Sequence, residues 1–316
     1  MNPSMRTLVV GAGAIGGYFG GRLLEAGRDV TFLVRPRRAE ELADSGLRIR
    51  SRFGDVTILK PPMTLAENLR STFDLVLLSC KAYDLAGAMV SFAPALGPET
   101  AILPLLNGMR HLKVLADRFG PDVVLGGQCL IAATLNEKRD IVHLNDSHAV
   151  SFGERNGALS DRVLAIDSLM DGARFEHRAS PNIVLEMWEK WVFLATLAGS
   201  TCLLRATIGD ISAAPGGSDL VLGIFEECQS IATAEGYPPR ASFVEPTRAI
   251  LTTKGSALTA SMLRDIEAGA PIEADHIIGD LLARGASSLL SIVYSSLKAY
   301  EARRSRTLAA RTQQRA

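Results

Sequence analysis

TLVVGAGAIGGYFGGRLLEAGRDVTFLV, residues 7–34, is the stretch whose reading decides the fold. TLVV is a short β-rich run that stops at a glycine, YFGGRLLEAG has helical spacing, and DVTFLV is again a strand. Strand, tight turn, helix, strand is one βαβ unit. At its turn Gly11, Gly13 and Gly16 form G-x-G-x-x-G. The first glycine makes the turn, the second lets the backbone approach a pyrophosphate, and the third lets helix and strand pack closely. In this strand–turn–helix setting the string predicts a dinucleotide site over Gly11, Ala12, Gly13, Ala14, Ile15 and Gly16; a glycine-rich packing turn without a ligand is the alternative. The second strand runs into FLVRPRR, so Arg35 stands where an NAD site carries an acid for the ribose 2′-hydroxyl. A guanidinium pairs bidentately with a 2′-phosphate. NADP is therefore the expected cofactor, with a solvated basic loop as the competing reading.

Working outward, GLRIRSRFGDVTILK (46–60) reads as a hairpin. FDLVLLSCK (73–81) and TAILPLLNG (100–108) are near-continuous apolar runs, as in parallel strands buried on both faces. They deliver Lys81, Asn107 and Gly108 to strand ends, where polar residues either meet a cofactor or are plain loop. DVVLGGQCLIAATL, DIVHL and HAVSFGE predict shorter separate strands, followed by a helix over 160–171 and a last strand. From Pro181 the pattern is helical: 181–200, 217–236, 239–254, 256–268 and 272–302, punctuated by Pro-Gly-Gly, Gly-Tyr-Pro-Pro and Gly-Ala-Pro. The predicted fold class is α/β: an N-terminal Rossmann-type, doubly wound sheet at 1–180 and a C-terminal all-helical domain at 181–316 carrying the substrate site.

Composition narrows the partners. The 316 residues are 47% hydrophobic and 22% charged, with 34 basic against 34 acidic side chains. That balance gives no field favouring nucleic acid or an anionic membrane, so neither is an expected partner. The four cysteines show no CxxC pairing and read as free thiols of a reducing compartment. With no leader-like start and no apolar run of about 20 residues, a cytoplasmic location is expected. None of the five histidines (His111, His143, His148, His177, His276) falls in a metal-ligand spacing, and no G-x-S-x-G or HExxH occurs. They read as structural or surface residues, and no metal is expected. The arginine-rich EARRSRTLAARTQQRA at the C-terminus reads as a frayed, solvated tail.

EMWEKWVFLATLAG (186–199) sets Lys190 in an apolar helical run between two tryptophans, in a chain with seven lysines and twenty-seven arginines. Either its ammonium snorkels to water along its stem, or a movable proton is wanted there. The motifs GAGAIGGYFGGRL, SCKAYD, LLNGM, WEKW and SMLRDIEAGAPIEAD together resemble the ketopantoate reductase (2-dehydropantoate 2-reductase) family over nearly the whole chain. The resemblance implies reduction of a 2-keto acid with NADPH on the two-domain fold already read. It implies that Lys190 is the catalytic lysine and Glu273 an acid near the cofactor. It further makes Asn107 a contact of cofactor and substrate, Ser261 a substrate-binding serine, Lys81 a cofactor contact and Ala133 a backbone cofactor contact. Read on their own, Glu273 is a carboxylate in a first helical turn, and Ser261 shares a helix face with Asp265.

Two places depart from the family's pattern. Leu194 and Ala198 replace asparagines one and two turns after the lysine, inside the expected substrate site. The substrate is therefore expected to carry a more apolar tail than ketopantoate. ARGASSLLSIVYSSLKAYEARR lacks the family's Gly/Pro turn, so it is either one long helix or two broken at Gly285. Competing readings are another two-domain hydroxy-acid or opine-type dehydrogenase, and a protein that senses NADP(H) without turnover. A homodimer through the apolar helices is a further expectation.

Overall fold

In a computed structural model, which describes residues 5–313, the chain divides into two compact units. One runs through Leu106 and resumes over His111–Val184; the other combines Asn107–Arg110 with the chain from Leu185 onward. The strands of the first unit are β1 (Thr7–Val10), β2 (Val30–Leu33), β3 (Leu47–Arg50), β4 (Val56–Ile58), β5 (Met63–Thr64), β6 (Phe73–Leu78), β7 (Leu96–Pro104), β8 (Gly126–Leu135), β9 (Ile141–Gly153) and β10 (Glu176–Ala179). Its helices are α1 (Ala14–Glu25), α2 (Pro36–Ser45), α3 (Leu85–Phe92), α4 (Arg110–Phe119) and α5 (Asp161–Met170).

The Rossmann-type sheet has the order β5-β2-β1-β6-β7, with every pair parallel. The glycine turn, Arg35 and Lys81 therefore all lie at the carboxyl edge of one sheet, with β2 and β6 flanking β1. The remaining strands form a second sheet, β10-β9-β3-β4, with β8 antiparallel to β9. The hairpin of residues 46–60 is present as β3 and β4. The expected separate strands DIVHL and HAVSFGE are instead one long strand, β9. Its pairing with β8 shifts where His143 faces Ala133 and His148 faces Ile131, so the irregularity falls over residues 144–147.

Helix α1 is sandwiched between the two sheets, and its glycines make this possible. A Cβ on Gly20 would stand 2.6 Å from Phe32 of the parallel sheet, while one on Gly17 would stand 2.5 Å from Ile141 of the second sheet. Gly21, one turn on from Gly17, faces Ile49 at 2.7 Å. Glycines four apart thus line two adjacent faces of one helix. Each costs helix propensity of about 1 kcal/mol, offset by the burial of Tyr18, Phe19 and Leu23, which at most 1% of their surface leaves exposed. Full burial of such side chains contributes about 1.5–3 kcal/mol each.

The second unit holds α6 (Ile183–Leu204), α7 (Ile208–Ala213), α8 (Gly217–Ala234), α9 (Ala241–Leu251), α10 (Ser261–Glu267), a π-helical turn (Asp275–Gly279) running into α11 (Asp280–Leu282), and α12 (Ser288–Gln313). Helix α6 is buried along most of its length. Its buried hydroxyls are satisfied one turn back, Thr196 donating to the Val192 carbonyl, Ser200 to Thr196 and Thr201 to Leu197 at 2.7–2.8 Å. The segment read as a helix over 272–302 is broken at residues 283–287, with Gly285 in the break. There a Cβ would lie 2.9 Å from Ile231. The Glu227 carboxylate closes the break by accepting the amides of Leu289 and Leu290 at 3.1–3.2 Å, together with the Ser287 and Ser288 hydroxyls. The terminal arginine-rich stretch is helical over its described part, α12 running to Gln313 with most of residues 302–310 exposed; residues 314–316 of that stretch lie outside the described residues. Among the described residues no helix is long and apolar enough to cross a membrane.

Candidate active site

The glycine turn of the first unit is built around Gly11, whose φ of +94° lies in the left-handed region open to glycine. Its N–H donates to the Leu33 carbonyl at 2.9 Å, fixing the turn to the end of β2. Beside Gly11 and Gly13 a Cβ would meet nothing within 4 Å. At Gly16 the reverse holds: a Cβ would collide with Ser79 Oγ and the Gly11 carbonyl oxygen. Glycine at 11 and 13 thus leaves open space, and at 16 it permits contact. Helix α1 begins here with Gly13 at its N-cap, no side-chain cap, and no acid in the first turn. Uncapped amides over open space are what a pyrophosphate requires.

The three arginines of RPRR divide their roles. Arg38 is structural, with Nε donating to the Ala12 carbonyl at 3.0 Å and Nη1 to Glu41 at 2.9 Å, which ties α2 to the glycine turn. Arg37 is exposed and pairs with Glu41. Arg35, at the N-cap of α2, is exposed and donates to Asp84 Oδ1 at 2.6 Å. Lys81 is half-buried and opens the short 3-10 turn Ala82–Asp84 that follows β6. Ala133, half-buried in β8, pairs with His143 just past the register shift.

The second unit brings other residues together around α6. Trp188 and Trp191 are buried, their rings 4.9 Å apart. Trp188 stacks on Tyr237 at 5.8 Å, and the Arg284 guanidinium lies over both indoles at 5.3 and 5.5 Å. Glu189 is buried too, accepting the backbone amide and Nε of Arg240 at 2.9 and 2.8 Å. Both neighbours of Lys190 are therefore closed into the unit, and Lys190 alone of residues 186–192 is half-buried. Trp191 Nε1 also donates to the Ile277 carbonyl at 3.0 Å. That bond joins the lysine's helix to the π-helical turn that follows Glu273.

Glu273 lies just outside that helix instead of in its first turn; Ala274 is the first helical residue, and the Glu273 carbonyl accepts the amides of His276 and Ile277. π-helical turns of this kind recur at functional sites. His276 is buried and packs on the Asn107–Gly108 turn. A Cβ on Gly108, whose φ is +77°, would stand 3.0 Å from His276 Cδ2. The ring also hydrogen-bonds the Asn107 backbone. Burial pushes its pKa down, with Arg110 acting the same way, against the opposing pull of Glu273, Asp280 and the Asn107 bond. Asn107 and the Glu273 segment are thus joined through His276, a residue that reads as merely structural in the sequence. Its place three residues after Glu273 was the available signal.

Ser261 is not mid-helix but the first residue of α10, and exposed. The amide before it, at Ala260, lies 3.4 Å from Thr201 Oγ1 of α6. Ala198 is buried and Leu194 half-buried on α6. Cys129, Cys202 and Cys228 are buried free thiols; burial pushes those of Cys202 and Cys228 up to about 12, which makes them poor nucleophiles. Among the described residues no group of three or more His, Cys, Asp or Glu stands together as metal ligands.

Two family profiles match this chain: Ketopantoate reductase PanE/ApbA over residues 7–157, and Ketopantoate reductase PanE/ApbA C terminal over residues 182–300. The chain belongs to the ketopantoate reductase family. Among its relatives, "Uncharacterized oxidoreductase YkpB" of Bacillus subtilis (strain 168) is 37% identical over 303 residues, covering 94% of this chain and 99% of the relative. The crystal structure of 2-dehydropantoate 2-reductase from Geobacter metallireducens GS-15 superposes with a TM-score of 0.85 at 28% identity, covering 93% of this chain and 99% of the other. The ternary structure of D-mandelate dehydrogenase with NADH and anilino(oxo)acetate shares the fold, with a TM-score of 0.84 at 19% identity over 95% and 100% of the two chains. Members of the ketopantoate reductase family are oxidoreductases with nicotinamide cofactors, and this chain has both of the family's domains.

Proposed function

We propose that this protein is an NADPH-dependent reductase of 2-keto acids, with Lys190 the proton donor and a substrate whose tail is more apolar than that of ketopantoate. The observation that carries the reading is the setting of Lys190. It is a half-buried cation set among the buried residues of 186–192, and the adjacent Trp191 binds its helix to the turn following Glu273. When bound, the reduced nicotinamide supplies a hydride to the keto carbon. Negative charge then develops on the keto oxygen. An ammonium in a partly dry setting stabilises that charge and gives up a proton to make the alcohol. Lysine suits this better than arginine, because its proton is released far more readily. Gly11, Ala12, Gly13, Ala14, Ile15 and Gly16 hold the pyrophosphate, and Arg35 the 2′-phosphate. Lys81 and Ala133 add cofactor contacts. Asn107 meets both cofactor and substrate, Ser261 binds the substrate carboxylate, and Glu273 holds a ribose hydroxyl or orients Lys190.

Leu194 and Ala198 point to the substrate class. Where the family's amides bind polar groups, this chain offers a branched alkyl and a methyl. A substrate hydroxyl buried there without a partner loses roughly 1–3 kcal/mol, about 10- to 100-fold in efficiency. NADPH oxidation by the purified protein is the test, across 2-keto acids with branched-alkyl or aromatic tails and with ketopantoate included. Turnover is expected on the apolar members, with ketopantoate at least tenfold lower in kcat/KM. Ketopantoate as the best substrate sinks the altered pocket; no turnover on any member, with NADPH still bound tightly, sinks the reductase.

A further inference from the structure

The turn after β6 bears on cofactor choice in a way that the arginine alone does not. Arg35 follows β2 and Asp84 follows β6, and these strands flank β1 with its glycine turn. The two side chains meet across that edge, Arg35 Nη2 donating to Asp84 Oδ1 at 2.6 Å. We propose that Asp84 sets the cofactor preference of this site, by competing with a 2′-phosphate for Arg35 and by offering an acceptor to a free ribose 2′-hydroxyl. The proposal rests on the reading of Arg35 as the 2′-phosphate ligand.

A purely structural role does not explain the pair. Asp84 stands at the N-cap of α3, where a carboxylate is a favoured cap, yet it makes no side-chain bond to that helix. It turns to Arg35 instead. The arginine side chain is 74% exposed and the carboxylate 34%, and ion pairs that exposed contribute little to folding. Their placement matters more for an arriving ligand. In a site built for NAD, an acid at the end of the second strand accepts the 2′-hydroxyl; here the acid comes from the neighbouring turn and is bonded to the arginine that took the acid's place. A 2′-phosphate must share Arg35 with Asp84 or displace it. A carboxylate held about 6 Å from a phosphate in water weakens binding by roughly 5- to 10-fold. A 2′-hydroxyl meets no such repulsion and donates to the same carboxylate. The site should therefore take both dinucleotides, preferring the phosphorylated one by less than Arg35 alone would give.

Dissociation constants of NADPH and NADH for the full-length protein test this, measured by nicotinamide fluorescence with wild type, Asp84→Asn, Asp84→Ser and Arg35→Gln. Melting temperatures report folding. Both Asp84 variants are expected to raise the NADPH-over-NADH affinity ratio about tenfold, tightening NADPH and weakening NADH. Arg35→Gln is expected to weaken NADPH at least tenfold and leave NADH within about twofold. If Arg35→Gln weakens NADPH but both Asp84 variants leave the ratio unchanged or lower it, the Asp84 proposal is overturned and the reading of Arg35 survives. If Arg35→Gln leaves NADPH binding unchanged, the reading of Arg35 fails and the Asp84 proposal falls with it.

Discussion

His276 shows how a buried ring can hold a turn of the proposed site. Its hydrogen bond and its packing hold the Asn107–Gly108 turn, and Gly108 has both the positive φ and the missing Cβ that the contact demands. His276→Phe keeps the bulk and removes the bond. The expected result is a KM for the keto acid raised about tenfold, with kcat changed less and the melting temperature nearly unchanged at neutral pH. A second readout separates this from plain packing. Burial holds the ring's pKa below its ordinary value, so below about pH 6.5 an unfolded chain binds a proton that the folded one resists. His276 is thus a source of instability that is absent above pH 6.5 and grows as the pH falls toward the folded-state pKa. The variant's melting temperature should drop less than wild type between pH 7 and 5. Arg35 and the glycines could be singled out in the sequence because they fall in a strand–turn–helix frame, whereas Lys190 stood out by its apolar setting and took its proposed role from the resemblance alone. His276 and Asp84 could not, because each acts through a partner distant in the chain. The tryptophans flanking Lys190 have a plain physical role, Trp188 packing and Trp191 bonding the Ile277 carbonyl.

At the scale of elements, periodicity located α1, α5 and the longer helices of the second unit, but it missed α2, α3, α4 and α7 and located the long-range pairings poorly. The glycines of α1 read as a phosphate turn followed by an ordinary helix. That the helix lies between two sheets followed only from Gly17 and Gly21 facing Ile141 and Ile49. Likewise, nothing in DIVHL or HAVSFGE signals that one strand passes through both, since a register shift has no composition of its own. The break before α12 was legible only as a choice, and Glu227 settles it by bonding the amides of Leu289 and Leu290. Burial pushes the Glu227 carboxyl up, but bonds from Ser287, Leu289, Leu290 and Ser288 outweigh this and hold its pKa below the ordinary value. Its contribution is therefore present at neutral pH and lost as the pH falls through that lowered value. Glu227→Gln is expected to cost about 1–2 kcal/mol at pH 7, a fall of a few degrees in melting temperature. The gap between variant and wild type should close below about pH 4; a gap that persists there would mean that shape, not charge, holds the break.

For the whole molecule, the α/β class, the parallel sheet and the helical second domain were all legible, because each rests on a repeating pattern or a marked turn. The second sheet was not, because its pairings join strands far apart in the chain, β3 running parallel to β9 and β10 parallel to β9. Family membership places this chain among nicotinamide-dependent oxidoreductases, and the proposed chemistry turns on one side chain. Single-turnover NADPH oxidation on the best keto acid, comparing wild type with Lys190→Ala, tests it most directly, with the NADPH dissociation constant measured alongside. A loss of roughly 10²- to 10⁴-fold in rate, the range of a positioned proton donor, is expected with NADPH affinity within about threefold. A rate within tenfold of wild type, cofactor binding intact, would contradict Lys190 as the proton donor.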